Sequence, residues 1–161
     1  MDALIDLAGV IMLLAAAVLA GGQIFCALAL LPALPEFSGE MSVRVHQRAM
    51  TFRPHRYLRV TGAIAILAAA AALVLIIVED DTAAPIALVA VGLVASIVSG
   101  AISSREWPIN QEINSWEGRE ADLGRYAALR RKWDLQHYAR TAFSIVALVC
   151  FALAVVVSHE L

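Results

Sequence analysis

The run VTGAIAILAAAAALVLIIV, residues 60–78, contains no charged side chain and only one hydroxyl, that of Thr61. Built as an α-helix, a run of this length spans about 28 Å, close to the ~30 Å hydrocarbon core of a bilayer. Three further apolar runs of similar length lie at residues 7–31, 85–102 and 141–157. The sequence therefore predicts an all-α protein, a four-helix transmembrane bundle.

The composition supports a membrane protein. Of the 161 residues, 61% are hydrophobic and only 16% are charged, with a mean hydropathy of +0.77. A water-soluble domain of this size cannot bury so much apolar surface, so a soluble fold is excluded and the lipid bilayer is the first expected partner. We expect residues 1–161 to form a single domain, with two inner loops at 32–59 and 103–140.

The basic residues predict the orientation of the bundle. All twelve Lys and Arg lie in residues 44–59 and 105–140. Because cytoplasmic loops of membrane proteins are enriched in Lys and Arg, both segments are expected in the cytoplasm and both termini on the non-cytoplasmic side. The expected location is the bacterial cytoplasmic membrane. The arginines alternate with acidic residues and flank the spans, so no nucleic-acid partner is expected.

Polar side chains gather in the predicted cytoplasmic half of the spans. Gln23 lies in the last third of the first span, and a buried amide requires hydrogen-bond partners. In the third span, Ser96, Ser99 and Ser103 share one helical face. Gly92, Ser96, Gly100 and Ser104 also recur at every fourth residue, a pattern typical of close helix packing in lipid. The serine face thus has two interpretations, a pocket wall or a packing surface.

The entrance of the fourth span concentrates groups that could do chemistry. Trp133, His137, Arg140 and Thr141 share one helical face, which carries an aromatic ring, an acid or base, a cation and a hydroxyl. The segment 107–110, WPIN, is expected to end the third helix close by. These residues predict an apolar pocket with a few convergent polar groups, open to the inner leaflet. The alternative is that Trp107, Trp133 and Arg140 only anchor the helices at the interface.

A metal site is the alternative use of the histidines. His46, His55 and His137 all lie on the predicted inner side and could be ligands for zinc or non-haem iron. No HxxxH or HxxE spacing fixes two ligands on one helix. We therefore expect no metal and no haem, although bundle cores can host haem.

The second half of the chain resembles the anthrone-oxygenase-like family of four-span membrane proteins. The residues that carry the resemblance are WPIN at 107–110, Trp116, and RKWDLQHYART at 131–141, followed by an alanine-rich span. The stretch GGQIFCALALLPAL at 21–34 also resembles the first span of that family. Known members are fungal enzymes that oxidise anthrones to anthraquinones with O2, without flavin or haem. His137 stands where those enzymes commonly have Asn.

The resemblance implies a cofactor-independent, anthrone-type oxygenase acting on a hydrophobic, electron-rich aromatic molecule. His137 would remove a proton, and Arg140 with Asn110 would stabilise the oxyanion that forms. The residues expected to bind the substrate are Trp107, Trp133, Gln23, Ser99 and Thr141.

Two other function classes remain open on the sequence. The protein could be a non-catalytic scaffold or accessory subunit that binds lipid or another membrane protein through its small-residue faces. Transport of a quinone or other small molecule is less favoured, because Gln23 is the only bulky polar side chain well within a span.

Overall fold

The computed structural model describes residues 2–51, 54–79, 83–117 and 120–160, with side chains except those of 2, 50, 51, 54–56, 159 and 160. The described residues are almost entirely helical and include no β-strand. Four helices are long and apolar enough to cross a membrane. The prediction of an all-α four-helix bundle is confirmed, and the protein is an integral membrane protein. The side on which the termini lie stays a prediction.

Within the described residues, six α-helices follow one another. They are α1 (Asp2–Phe25), α2 (Leu31–Ala33), α3 (Gly39–Thr51), α4 (Pro54–Val78), α5 (Ala83–Asn114) and α6 (Leu123–Glu160). A π-helical turn, Cys26–Leu30, joins α1 to α2, and a 3-10 turn, Leu34–Glu36, follows α2. The four membrane-length helices form a ring in which α1 packs on α4 and α6, and α5 packs on α4 and α6.

The π-helical turn has a physical cause in Pro32. Proline has no N–H to bond the carbonyl four residues earlier, and its ring crowds that carbonyl, here the carbonyl of Leu28. A widened turn relieves the crowding, and the Leu31 N–H bonds the Cys26 carbonyl, five residues back. Single π-helical turns of this kind are frequent at functional sites.

Helices α5 and α6 extend well beyond the apolar runs. Much of the segment expected as an inner loop, 103–140, is helical, because α5 continues to Asn114 and α6 begins at Leu123. The expectation that the third helix ends at residues 107–110 was wrong. Pro108 lies within α5 on its exposed side, where solvent or headgroups can bond the carbonyl that proline leaves without a helical donor.

Helix α3 caps one end of the bundle, which we call the α3 end. An amphipathic helix of this length could lie on the membrane surface. Instead, the buried face of α3 packs on α5 and α6. Gln47 Nε2 donates to the Ile113 carbonyl at 2.8 Å, and Ser42 Oγ lies 3.1 Å from the Tyr126 hydroxyl. Polar side chains thereby become buried at the α3 end.

The core of the bundle is apolar at the other end. Met12, Ala72, Val89 and Phe151 belong to one buried apolar cluster there. A Cβ added to Gly92 would overlap the ring of Phe151, which is completely buried. At Gly92 the small-residue face of α5 therefore allows α5 and α6 to pack closely. Close helix packing is one of the two interpretations that we gave for this face. Gly100, two turns further along α5, has no heavy atom close to its Cβ position.

Candidate functional site

The space beside Gly100 is a cavity of about 430 Å³ between α1, α4 and α5. Its apolar wall comes from α1 and α4 and its hydroxyl-rich wall from α5. The residues that line it are Leu19, Gln23, Leu58, Arg59, Gly62, Ala63, Ile66, Ser96, Ser99, Gly100, Ser103, Ser104 and Arg140. This is the volume and character of a small-molecule site, an apolar space with a few polar groups.

Gln23 and Arg140 are buried polar side chains in the lining of the cavity. The two side chains are 2% and 6% exposed, respectively. Gln23 Oε1 accepts no hydrogen bond from any described residue. An acceptor without a donor and a buried cation therefore line the same cavity. This arrangement suits a ligand that presents both a hydroxyl group and a negatively charged oxygen.

Arg140 is held by three side chains on two helices. Its Nε lies 3.1 Å from Glu106 Oε1. Its Nε and Nη2 lie 3.2 Å and 2.6 Å from His137 Nδ1. Its Nη1 donates to Ser103 Oγ at 3.2 Å. The guanidinium is thus fixed by α5 and by its own helix, with one side toward the cavity.

Glu106 is the counter-ion of Arg140 and was not identified from the sequence. Its side chain is 1% exposed, and Oε1 accepts no hydrogen bond from the described residues, since the Nε–H of Arg140 points at His137. Arg140 and Glu106 therefore form a buried ion pair. The signal that could have found Glu106 is its spacing, because Ser103, Glu106 and Asn110 continue the serine face at i, i+3 and i+7.

The contacts of His137 define its protonation state. Nε2 lies 3.1 Å from the Gln23 carbonyl oxygen, which can only accept, so Nε2 carries the proton. Nδ1 faces the Arg140 guanidinium, which can only donate, so Nδ1 accepts. His137 is the neutral Nε2–H tautomer in this arrangement. It does not line the cavity, and it can act as a base only after Arg140 turns away from Nδ1.

Aromatic rings form a column from the site to the α3 end. The Trp133 ring stacks on His137 with centroids 5.1 Å apart and an interplanar angle of 23°. Its other neighbour is His46, whose ring meets it edge to face at 4.9 Å. His46 in turn lies edge to face with Tyr126 at 5.9 Å. Trp133 is completely buried, so it can stack on a ligand only if one of these ring contacts opens.

Buried polar atoms without partners collect around His46. Both ring nitrogens of His46, Asn110 Oδ1 and Trp133 Nε1 have no geometrically acceptable hydrogen bond to the described residues. The Asn110 amide is nevertheless close enough to His46 to raise its pKa. Asn110 therefore neighbours His46, one turn of α5 away from Glu106.

Protonation of His46 is expected to loosen the docking of α3. Burial lowers the pKa of His46 from 6.5 to about 4, which outweighs the raising effect of Asn110, and Arg130 lowers it further. Between pH 6.5 and 4 the unfolded chain binds a proton that the folded protein excludes, so stability falls as pH falls. We expect a loss of about 2 kcal/mol between pH 7 and pH 5.

Detergent unfolding of wild type and His46→Gln at the two pH values measures this loss. The variant cannot protonate at this position, so its stability should fall less between pH 7 and pH 5. Equal losses in both proteins would show that His46 is not the group that titrates.

Of the other residues predicted to bind the substrate, Ser99 lines the cavity, whereas Thr141 and Trp107 do not. Ser99 lines the cavity, and its hydroxyl lies 2.9 Å from Ser144 Oγ across the α5–α6 contact. The Thr141 hydroxyl donates to the His137 carbonyl within α6 at 2.8 Å, which fixes it inside the helix. Trp107 is 42% exposed and does not line the cavity, but the Arg59 guanidinium, which does, lies 4.5 Å from its ring centroid.

The structure describes two of the three histidines of the alternative metal set. His46 and His137 both contact the Trp133 ring, and both His137 nitrogens are engaged. The side chain of His55 lies outside the described residues. Among the side chains that are described, no group of three His, Cys, Asp or Glu is placed to hold a metal ion.

A family model described as anthrone oxygenase matches residues 51–150, more than half of the chain. No curated protein and no solved structure matches the chain. The matched range includes all of α4 and α5 and the part of α6 that carries Trp133, His137 and Arg140. With its four membrane-length helices and a match of this extent, the chain belongs to the anthrone oxygenase family.

Proposed function

We propose that this protein is a cofactor-independent oxygenase of the anthrone type, which takes an electron-rich polycyclic phenol from the membrane. The bundle would lie in the bacterial cytoplasmic membrane with its basic segments in the cytoplasm. The substrate would then enter the cavity from the inner leaflet. Family membership supports the reaction class, and the cavity supports an apolar substrate with a polar end.

The observation that carries the proposal is Arg140, a buried cation that faces an apolar cavity and is held by Glu106 and His137. Oxidation of an anthrone by O2 begins with loss of a proton from carbon, which leaves negative charge on the ring oxygen. A fixed cation in a site without bulk water stabilises such a charge far better than water does. A proton acceptor must lie close by, and His137 is adjacent to the cation.

The proposed reaction balances without a cofactor. The substrate oxygen draws Arg140 away from His137, and Nδ1 of His137 is then free to take the proton from the substrate carbon. The electron pair of the broken C–H bond moves to the oxygen as an enolate. The carbanion-like carbon reacts with O2 and takes up a proton to form a hydroperoxide. Loss of water then leaves a new carbonyl, so a CH2 group and O2 become C=O and H2O.

A scaffold function finds less support in the packing. Docking of another bundle would require small-residue faces free for a partner. Gly92 instead packs on Phe151 within the chain, and Gly100 opens onto the cavity. At Gly92 the small-residue face is therefore already covered within the protein.

A glycine pair tests whether the cavity is the reaction site. Gly100 and Gly21 both have open space at the Cβ position, but only Gly100 lines the cavity. We expect purified wild type to consume O2 and form anthraquinone from anthrone in equal amounts. Gly100→Leu should lower kcat/KM about tenfold or more by filling the cavity, while Gly21→Leu should match wild type.

Oxygen uptake and quinone absorbance measure the two products, with autoxidation in protein-free micelles subtracted. No oxidation above that background would overturn the oxygenase proposal. Equal activity of Gly100→Leu and Gly21→Leu would mean that the reaction takes place elsewhere.

A further inference from the structure

We propose that Glu106 receives the proton of the ligand, so that the cavity selects weak acids that enter neutral and ionise on binding. The acidic bond of the ligand breaks, its proton moves to Glu106 Oε1, and its electron pair stays on the ligand as the charge that pairs with Arg140. Arg140 thereby exchanges one counter-ion for another. The inference rests on the proposed function only in taking this cavity as the substrate site.

Charge balance in the buried cluster supports this exchange. Arg140 is 6% exposed and Glu106 is 1% exposed, so both charges lie away from water and cancel each other. A permanently anionic ligand would add a net charge to a region of low dielectric constant, which is costly. A neutral acid that gives its proton to Glu106 keeps the net charge of the cluster unchanged. The site should therefore prefer a phenol or enol to a carboxylate or sulfonate of the same shape.

Glu106 can hold the proton of the ligand more favourably than His137 can. A second proton on His137 would sit on Nδ1, which faces Arg140 Nη2 at 2.6 Å, and two cations would then point at each other. Glu106 Oε1 has no hydrogen-bond donor among the described residues and so keeps a lone pair for a proton. His137 can relay the proton, but Glu106 can hold it.

The other ionisable groups around the pair leave this assignment in place. Cys26 approaches from the π-helical turn, and its interaction with Arg140 is weaker than that of Glu106. Asp134 on α6 already has Arg130 Nε at 3.5 Å. Arg59 reaches the cavity from α4 and stacks on Trp107. Of the cations that the structure describes, only Arg140 lies within ion-pair distance of Glu106.

Proton counting with two probes of one size tests the inference on wild-type protein. We would titrate purified protein with 1-naphthol, which is neutral at pH 7, and with naphthalene-1-sulfonate, which is a permanent anion. Calorimetry in two buffers of different ionisation enthalpy gives the number of protons exchanged, with partition into empty micelles subtracted. Naphthol should bind with no net proton exchange. The sulfonate should bind about tenfold more weakly and take up about one proton per ligand.

A single amide substitution should reverse the preference. Glu106→Gln keeps the shape of the side chain but leaves Arg140 without its internal counter-ion. We expect this variant to bind the sulfonate about tenfold more tightly than wild type, without proton uptake, and to bind naphthol about tenfold more weakly. The matched control is Glu112→Gln on the same helix, because Glu112 pairs with exposed Arg125 away from the cavity. The control should bind both probes as wild type does.

Sulfonate binding to wild type without proton uptake would overturn the inference, as would an unchanged preference in Glu106→Gln. If Glu106→Gln does not fold, the proton count on wild type decides the question alone. Binding as expected without oxidation of anthrone would overturn the proposed function and leave the assignment of Glu106 standing.

Discussion

Replacing Arg140 with Gln should destabilise the protein by about 3–5 kcal/mol and abolish its activity. The substitution leaves the Glu106 carboxylate buried with no cation in reach among the described residues. It also removes the hydrogen bonds to His137 and Ser103. The penalty of an uncompensated buried charge is the largest of these terms, so the loss should exceed that of an ordinary polar substitution.

The double variant, Arg140→Gln with Glu106→Gln, removes both charges. It therefore separates the cost of an unpaired buried charge from the cost of lost packing. Two neutral amides can bond each other, so the double variant should be more stable than Arg140→Gln alone. Unfolding in mixed micelles with increasing dodecyl sulfate, followed by tryptophan fluorescence, measures the difference. Arg125→Gln breaks the exposed pair with Glu112 and should change stability little, because solvent screens that pair. A double variant less stable than the single one would argue against a buried ion pair.

Replacing His137 with Gln should lower kcat for anthrone oxidation by about 10²–10⁴-fold with little change in stability. A glutamine can accept from Arg140 and donate to the Gln23 carbonyl, as the imidazole does, but it cannot take a proton. The substitution therefore removes the basicity of the side chain and keeps its hydrogen bonds.

Steady-state oxygen uptake at saturating anthrone measures this change. Tyr138→Phe is the matched control, since Tyr138 is the next residue on α6 and is 49% exposed on another side of the helix. If the His137→Gln variant had the same kcat as wild type, His137 would not be the base. The proton would then have to pass to Glu106 without His137.

Hydropathy predicted the fold because each span is a local property of the chain. Residues 60–78 form most of α4 whatever their partners are, and lipid length fixes how many such residues are needed. The helix ends were harder to predict. Pro108 normally favours a helix end, yet it remains inside α5, because the side of the helix on which it lies depends on how α5 packs.

The site was predicted in part. The face of α6 with Trp133, His137 and Arg140 follows from spacing alone, and all three side chains are buried together. Glu106 could not be selected from many acidic residues, since its partner lies 34 positions away on another helix. The burial of His46 could not be predicted either, because α3 is rich in polar residues and becomes buried only when it packs on the bundle.

The contact between Gly92 and Phe151 has a consequence for how members of this family can evolve. The closely packed end of the bundle joins α5 to α6 without any residue of the cavity wall. Substitutions that reshape the cavity, at Ala63, Ile66 or Gly100, therefore leave that joint intact. New substrate preferences can arise at one end while the other end keeps the chain folded. We expect substrate range in this family to change faster than architecture.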